Sequence, residues 1–159
     1  MSYTTRGWYL EDFQVGQEMD SPRRTITEAD IVQFAGLSGD YNALHVDAEY
    51  ARSTPFGERI AHGLLGLSVA SGLAAQAGYL EGTVMAFTSL DWRFKRPILI
   101  GDTIGLTSTV SRVRPMPSQG GGLVTLQVTV LNQQEEVVQE GTWSLLMRSR
   151  AAGSPDAQP

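Results

Sequence analysis

The sequence predicts an α+β domain, with helices in the first half and an antiparallel sheet in the second. Two observations lead there. Up to about residue 77 the apolar residues recur at helical spacing, and from residue 84 they alternate with a period of two. Between these regimes, Ala61–Leu80 contains no Asp, Glu, Lys or Arg. A long apolar helix next to such a sheet suggests that the sheet wraps around it.

The elements follow in chain order. Residues 1–8 are expected to form a flexible N-terminus, and 151–159, with Gly153, Ser154 and two prolines, a disordered tail. One domain, 9–150, lies between them. Tyr9–Arg24 reads as irregular, with a short strand near Gln17–Arg23. A helix then starts at Thr27, a capping residue, with Asp30 at the third helical position and Ile26 and Ile31 placed to staple the entry. Ile31, Phe34, Ala35 and Leu37 keep helical spacing, and Gly36 and Gly39 end the element. Asp47 caps a short helix, Ala48–Ser53, that stops before Pro55. The uncharged segment supplies a third helix, about Gly63–Ala77.

Four strands complete the chain. Val84–Phe94 alternates as a half-buried strand does. Thr103–Val113 is the second. Leu123–Leu131 is the third, with Val124, Leu126, Val128 and Val130 on one side. Val137–Met147 is the fourth, with Val137, Trp143, Leu145 and Met147 aligned. Turns fall at 97–102, 115–122 and 132–136.

Composition narrows the function classes. At 159 residues the chain suits one domain with a real core. Its formal net charge of −5 argues against a nucleic-acid binder. It has no cysteine, so disulfides, thiolate metal sites and cysteine nucleophiles are excluded. Met1–Trp8 has no apolar run of signal-peptide type. Ala61–Leu80 approaches membrane-spanning length, but His62, Ser68, Ser71, Gln76 and four glycines mark it as a buried helix of a soluble domain. The expectation is a cytoplasmic protein with no membrane or nucleic-acid partner.

The densest polar group is Ser38-Gly39-Asp40-Tyr41-Asn42-Ala43-Leu44-His45. On a helix, Asp40 and His45 would lie about 140° apart in azimuth, on different faces. Gly39 before the aspartate and Asp47 after the histidine instead suggest a loop between helices, able to turn both side chains toward one point. An aspartate and a histidine so placed can hold one water and move its proton. The same residues also admit a plainer reading, in which Asp40 closes a turn through its backbone and His45 is structural.

Ile60-Ala61-His62-Gly63-Leu64-Leu65 opens the apolar helix. A helix N-terminus presents free N–H groups, and glycine lets a ligand approach, so the Gly63 N–H can polarise a carbonyl. Gly63 can equally be a helix-packing residue. His45 and His62 are the only histidines, and no metal-ligand spacing joins them. Gly120-Gly121-Gly122 precedes a strand without a helix to follow, so it is no phosphate-binding signature. A Gly-x-Ser-x-Gly nucleophile elbow is absent.

Ser38 through Asp47, followed by Ala51, resembles the signature of the MaoC-like (R)-specific enoyl-CoA hydratases. Ile60–Leu65 resembles the family's second motif at a similar spacing, and Phe94-Lys95-Arg96-Pro97 with Gly101-Asp102 resembles its later strand and turn. The similarity covers roughly Phe13–Met147. It implies a hot dog fold, a long central helix wrapped by a curved antiparallel sheet. It also implies a homodimer or higher homo-oligomer, often with two sheets joined edge to edge.

For the site, the resemblance implies Asp40 as general base, His45 as its partner on water, and Gly63 as the oxyanion N–H. Asn42 would hold the loop, Ser71 would support the aspartate, and His62 joins the supporting residues. The implied activity is reversible hydration of a trans-2-enoyl-CoA to an (R)-3-hydroxyacyl-CoA, with no metal or organic cofactor and CoA entering only as the substrate thioester. Acyl-CoA thioester hydrolysis, an acyl-carrier-protein dehydratase and a non-catalytic acyl-CoA-binding subunit are the alternatives. The acyl pocket is expected from the apolar helix and nearby strands, with Leu67, Ala70 and Trp92 among its walls. One departure stands out: Ala43 occupies a position where the family usually has proline.

Overall fold

A computed structural model of the protein describes residues 6–152. Residues 1–5 and 153–159, most of the two terminal segments expected to be loose, lie outside the described residues. Within the described part, the Trp8 N–H donates to Tyr79 O, and its ring meets Phe13 and Tyr79.

Strands β1 (Glu18–Asp20) and β2 (Arg24–Thr25) lead into helix α1 (Glu28–Ser38). The start of α1 follows from its sequence. The Asp30 N–H donates to Thr27 Oγ1 and the Thr27 N–H donates to Asp30 Oδ2, a reciprocal capping box. Ile26 and Ile31 are both fully buried at the entry. Gly39, at φ 75°, ends the helix in the left-handed region that glycine adopts without strain. Gly36 lies inside the helix and plays no part in ending it.

Two short helices follow, α2 (Ala43–Val46) and α3 (Ala48–Arg52), the second capped by Asp47 Oδ1, which accepts the Glu49 and Tyr50 N–H groups. Helix α4 (Gly63–Gln76) is the uncharged segment. Its buried residues, Leu65, Gly66, Val69, Ala70, Leu73 and Ala74, repeat every three to four positions and form one stripe.

Four long strands complete the sheet: β3 (Val84–Phe94), β4 (Thr103–Met116), β5 (Gly121–Leu131) and β6 (Val137–Arg148). The sheet is antiparallel, in the order β1-β4-β5-β6-β3, with β2 also on β4. Val124, Leu126, Val128 and Val130 alternate inward along β5, as the period of two predicts. They join Val110, Trp143, Leu145 and Met147 in one core with the α4 stripe. Register shifts in β3, β4 and at the β5–β6 pair mark bulges, which bend strands around a central helix. This is the hot dog arrangement.

The structure corrects three details. β4 continues through Pro115 and Met116, which pair with Gly122 and Gly121 of β5; a Cβ on Gly122 would lie 2.6 Å from Arg114 O of β4, so glycine permits the close approach. In β6 the register skips between Val130↔Gln139 and Leu131↔Val137, so Val138 has no partner on β5. Val138 and Gln139 are consequently buried in succession, and Val137 is only half-buried. Finally, β3 is not half-buried: every residue but Trp92 is exposed in the single chain. It is an edge strand, paired among the described residues with β6 alone.

Candidate active site

The loop after α1 positions the first acid. Gly39 turns the chain out of the helix, and Asp40 Oδ1 then accepts the Asn42 N–H at 3.2 Å. Asn42 in turn caps α2, its Oδ1 accepting the Leu44 N–H at 3.1 Å. The turn-closing reading of Asp40 is therefore realised by one carboxylate oxygen. The other has no partner among the described residues.

The segment expected to be all loop contains one turn of helix, α2, which carries His45. His45 Nδ1 lies 2.8 Å from the Ile60 carbonyl. Since a carbonyl only accepts, this contact places the proton on Nδ1 and leaves Nε2 as the free ring nitrogen. The His45 ring stacks on His62 with centroids 3.7 Å apart and planes 28° from parallel. Ligand-capable atoms of Asp40, His45 and His62 all lie within 4.8 Å of one another. One nitrogen of each ring is already committed to a backbone carbonyl oxygen. That donor set fits the handling of a proton better than the holding of a metal ion.

Gly63 is the first residue of α4, and its N–H has no protein acceptor among the described residues. A Cβ here would come within 2.8 Å of the Phe94 ring, so the glycine keeps open the approach to that N–H. His45 and Gly63 share a cleft of about 460 Å³ whose apolar wall includes Phe56, Ile60, Leu64, Phe94 and Ile98. Lys95 and Arg96, both substantially exposed, stand on its rim. The walls expected from the helix interior are elsewhere: Ala70 is in the core, Leu67 packs against it, and Trp92 turns to a hydrogen bond. The cleft opens instead beside the N-terminus of α4 and the end of β3.

Ser71 lies away from this group. Eight residues along α4 from Gly63, it is about 12 Å further down the axis, exposed, with its hydroxyl donating to Ser68 O at 2.8 Å.

Sequence reasoning missed the apolar wall residues Phe56, Phe94 and Ile98, and also the buried polar residue Gln139. Gln139 is 2% exposed; its Nε2–H donates to the Gly63 carbonyl at 3.0 Å and its Oε1 accepts the Trp92 indole N–H at 3.0 Å. It clamps the first turn of α4 against the sheet. Only the bulge at Val138 turns this side chain inward, and a strict period of two gives no sign of it.

The family model for the MaoC like domain matches residues 12–132. An (R)-specific enoyl-CoA hydratase of Rhodospirillum rubrum is 42% identical over 107 residues, 67% of this chain and 72% of that protein. Protein MaoC of Klebsiella aerogenes is also 42% identical over 104 residues, 65% of this chain but only 31% of that longer protein. The crystal structure of a MaoC-like dehydratase from Rhodospirillum rubrum superposes with a TM-score of 0.81 at 30% identity, covering 91% of this chain and 99% of that one. No helix among the described residues is long and apolar enough to cross a membrane.

Proposed function

The chain belongs to the MaoC-like family, and from that premise we propose that it catalyses the reversible syn hydration of a trans-2-enoyl-CoA to an (R)-3-hydroxyacyl-CoA. The observation that carries this reading is the approach of Asp40 to His45, which lines a cleft together with Gly63, whose N–H has no protein acceptor among the described residues.

The thioester carbonyl conjugates with the alkene and makes its β-carbon electrophilic. Its oxygen accepts from the Gly63 N–H, which holds the charge that develops as the enolate forms. A water between Asp40 and His45 loses a proton to the Asp40 carboxylate, while His45 Nε2 orients it. The hydroxide adds to the β-carbon. The proton held by the Asp40–His45 pair then passes to the α-carbon, which restores the carboxylate. One pair supplies both hydroxide and proton, so the two add to the same face. The conjugated thioester supplies the activation, so the proposed reaction uses neither metal nor organic cofactor. Asn42 holds the loop through the α2 cap. The Lys95 and Arg96 cations on the rim suit the phosphates of CoA.

A homodimer completes the proposal. β3 leaves one edge unpaired and exposes Val84, Met85, Phe87, Leu90 and Phe94, while Leu64 projects from α4. A long apolar edge of this kind is stable when a second strand covers it. In that assembly Ser71, exposed in the single chain, would have to meet the partner to support an aspartate.

The test is loss of the conjugated enoyl-thioester absorbance of crotonyl-CoA, with thiol release followed in parallel. We expect absorbance loss without thiol, and a fall of about 10³-fold or more in kcat for folded Asp40→Asn, the scale on which removal of a general base acts. Unimpaired hydration by Asp40→Asn would sink the assignment, and thiol release would move the activity to thioester hydrolysis.

A further inference from the structure

His62 occupies the N-cap position of α4 but caps nothing with its side chain. The ring is buried, 3% exposed. Nε2 lies 3.0 Å from the Asp40 carbonyl, one face stacks on His45, and Phe34 of α1 meets the ring at 5.0 Å. The remaining nitrogen, Nδ1, is buried without any hydrogen-bond partner among the described residues.

From this arrangement we infer that His62 is the positioning residue that sets Asp40 against His45; the inference rests on the hydratase reading above. The other hydrogen bonds of Asp40 are local: its N–H donates to Ser38 Oγ at 3.2 Å, and its carboxylate accepts from Asn42. The His62 Nε2–H to Asp40 O bond is the sole long-range hydrogen bond that Asp40 makes among the described residues. The same ring is the surface on which the His45 imidazole lies. One side chain, fixed at the start of α4 beside Gly63, therefore registers base, water-orienting histidine and oxyanion N–H to one another.

The orphaned Nδ1 supports a specific role over filling. A buried polar atom without a partner is unfavourable, and an aromatic hydrocarbon of similar size would avoid it. What phenylalanine lacks is the Nε2–H aimed at Asp40 O. A carbonyl requires a donor, so the contact places a proton on His62 Nε2, and the neutral ring then carries its bare lone pair on Nδ1.

Two variants separate the parts of this role. His62→Phe keeps a flat ring beneath His45 and removes the donor; His62→Gln restores an N–H donor. For His62→Phe we expect kcat to fall by about 10–100-fold, since misplacing a reacting group by about 1 Å costs on that order. KM should stay within about twofold, because the cleft walls are untouched. His62→Gln should recover part of kcat. Wild-type kcat in folded His62→Phe, or kcat and KM failing together with a collapsed thermal midpoint, would overturn the inference.

A second measurement needs no variant. Nitrogen-15 NMR of the imidazoles in the wild-type protein should show His62 as the Nε2–H tautomer, and the Nδ1–H tautomer would overturn the inference. Wild type and Asp40→Asn are assayed alongside. An active wild type with an unimpaired His62→Phe removes this inference alone. An inert wild type removes the hydratase reading, and the tautomer then decides the placement of His62.

Discussion

At the scale of the residue, Ala43 shows what the local geometry permits. It is the first residue of α2, its N–H has no acceptor among the described residues, and Asn42 before it sits at φ −53°, ψ 133°. The first helical position tolerates proline, and a ψ near that value is what the residue preceding proline adopts. Ala43→Pro should therefore raise stability by about 0.4–1 kcal/mol through the unfolded chain and leave hydration intact, read by chemical denaturation and the crotonyl-CoA assay. The same loop shows how much of the site the sequence discloses. Asp40, Asn42 and His45 stand in one short motif, and Gly63 heads an obvious helix, so their types and spacing mark them. That the two histidines stack depends on bringing α2 against α4, which no spacing encodes. Gln139 depends on a bulge and is invisible to alternation.

Elements respond to the charges at their ends. Burial raises the Asp30 carboxyl, but the Thr27 N–H and hydroxyl and the Arg24 guanidinium outweigh it and hold the group below its ordinary value. A carboxylate depressed in the folded state stabilises above its unfolded pKa, and that stabilisation is lost as pH falls through the folded one. Asp30→Asn should thus cost about 0.5–1 kcal/mol at pH 7, the usual worth of a negative charge in a helix's first turn. Thermal melts of the two proteins should begin to draw together as pH falls below the ordinary aspartate value of about 3.9, and meet only once the lowered folded-state value is passed. The cap was legible because it is written in four consecutive residues. The burial of β3 was not: its alternation is real, but it records an apolar face that the single chain leaves uncovered.

For the whole molecule, that uncovered face predicts an assembly. Leu90→Lys places a charge on the open edge strand, a substitution that discourages edge pairing. Light scattering behind size exclusion should then report one chain mass in place of the two expected of wild type, with the far-ultraviolet circular dichroism of a folded sheet retained. A variant that keeps the wild-type mass would place the contact elsewhere. The α+β class was legible from the switch in period and the uncharged helix, and the hot dog fold from the resemblance of the Asp40–His45 and Ile60–Leu65 motifs. The position of the cleft was not, since it depends on which end of α4 meets the last residues of β3.

The place of β3 also bears on how the chain reaches this state. β4, β5 and β6 are neighbours in sequence and pair through hairpins, whereas Phe94 must find Gln139 and Val84 must find Met147 across both intervening strands. The entropy lost in closing a loop grows with its length, so the β3–β6 ladder is the more expensive to close. A β4–β5–β6 meander can therefore gather first and receive β3 afterwards. The edge offered to a second chain is complete only once β3 has docked, so the same slow pairing that finishes the monomer also withholds its association surface until the sheet beneath is built.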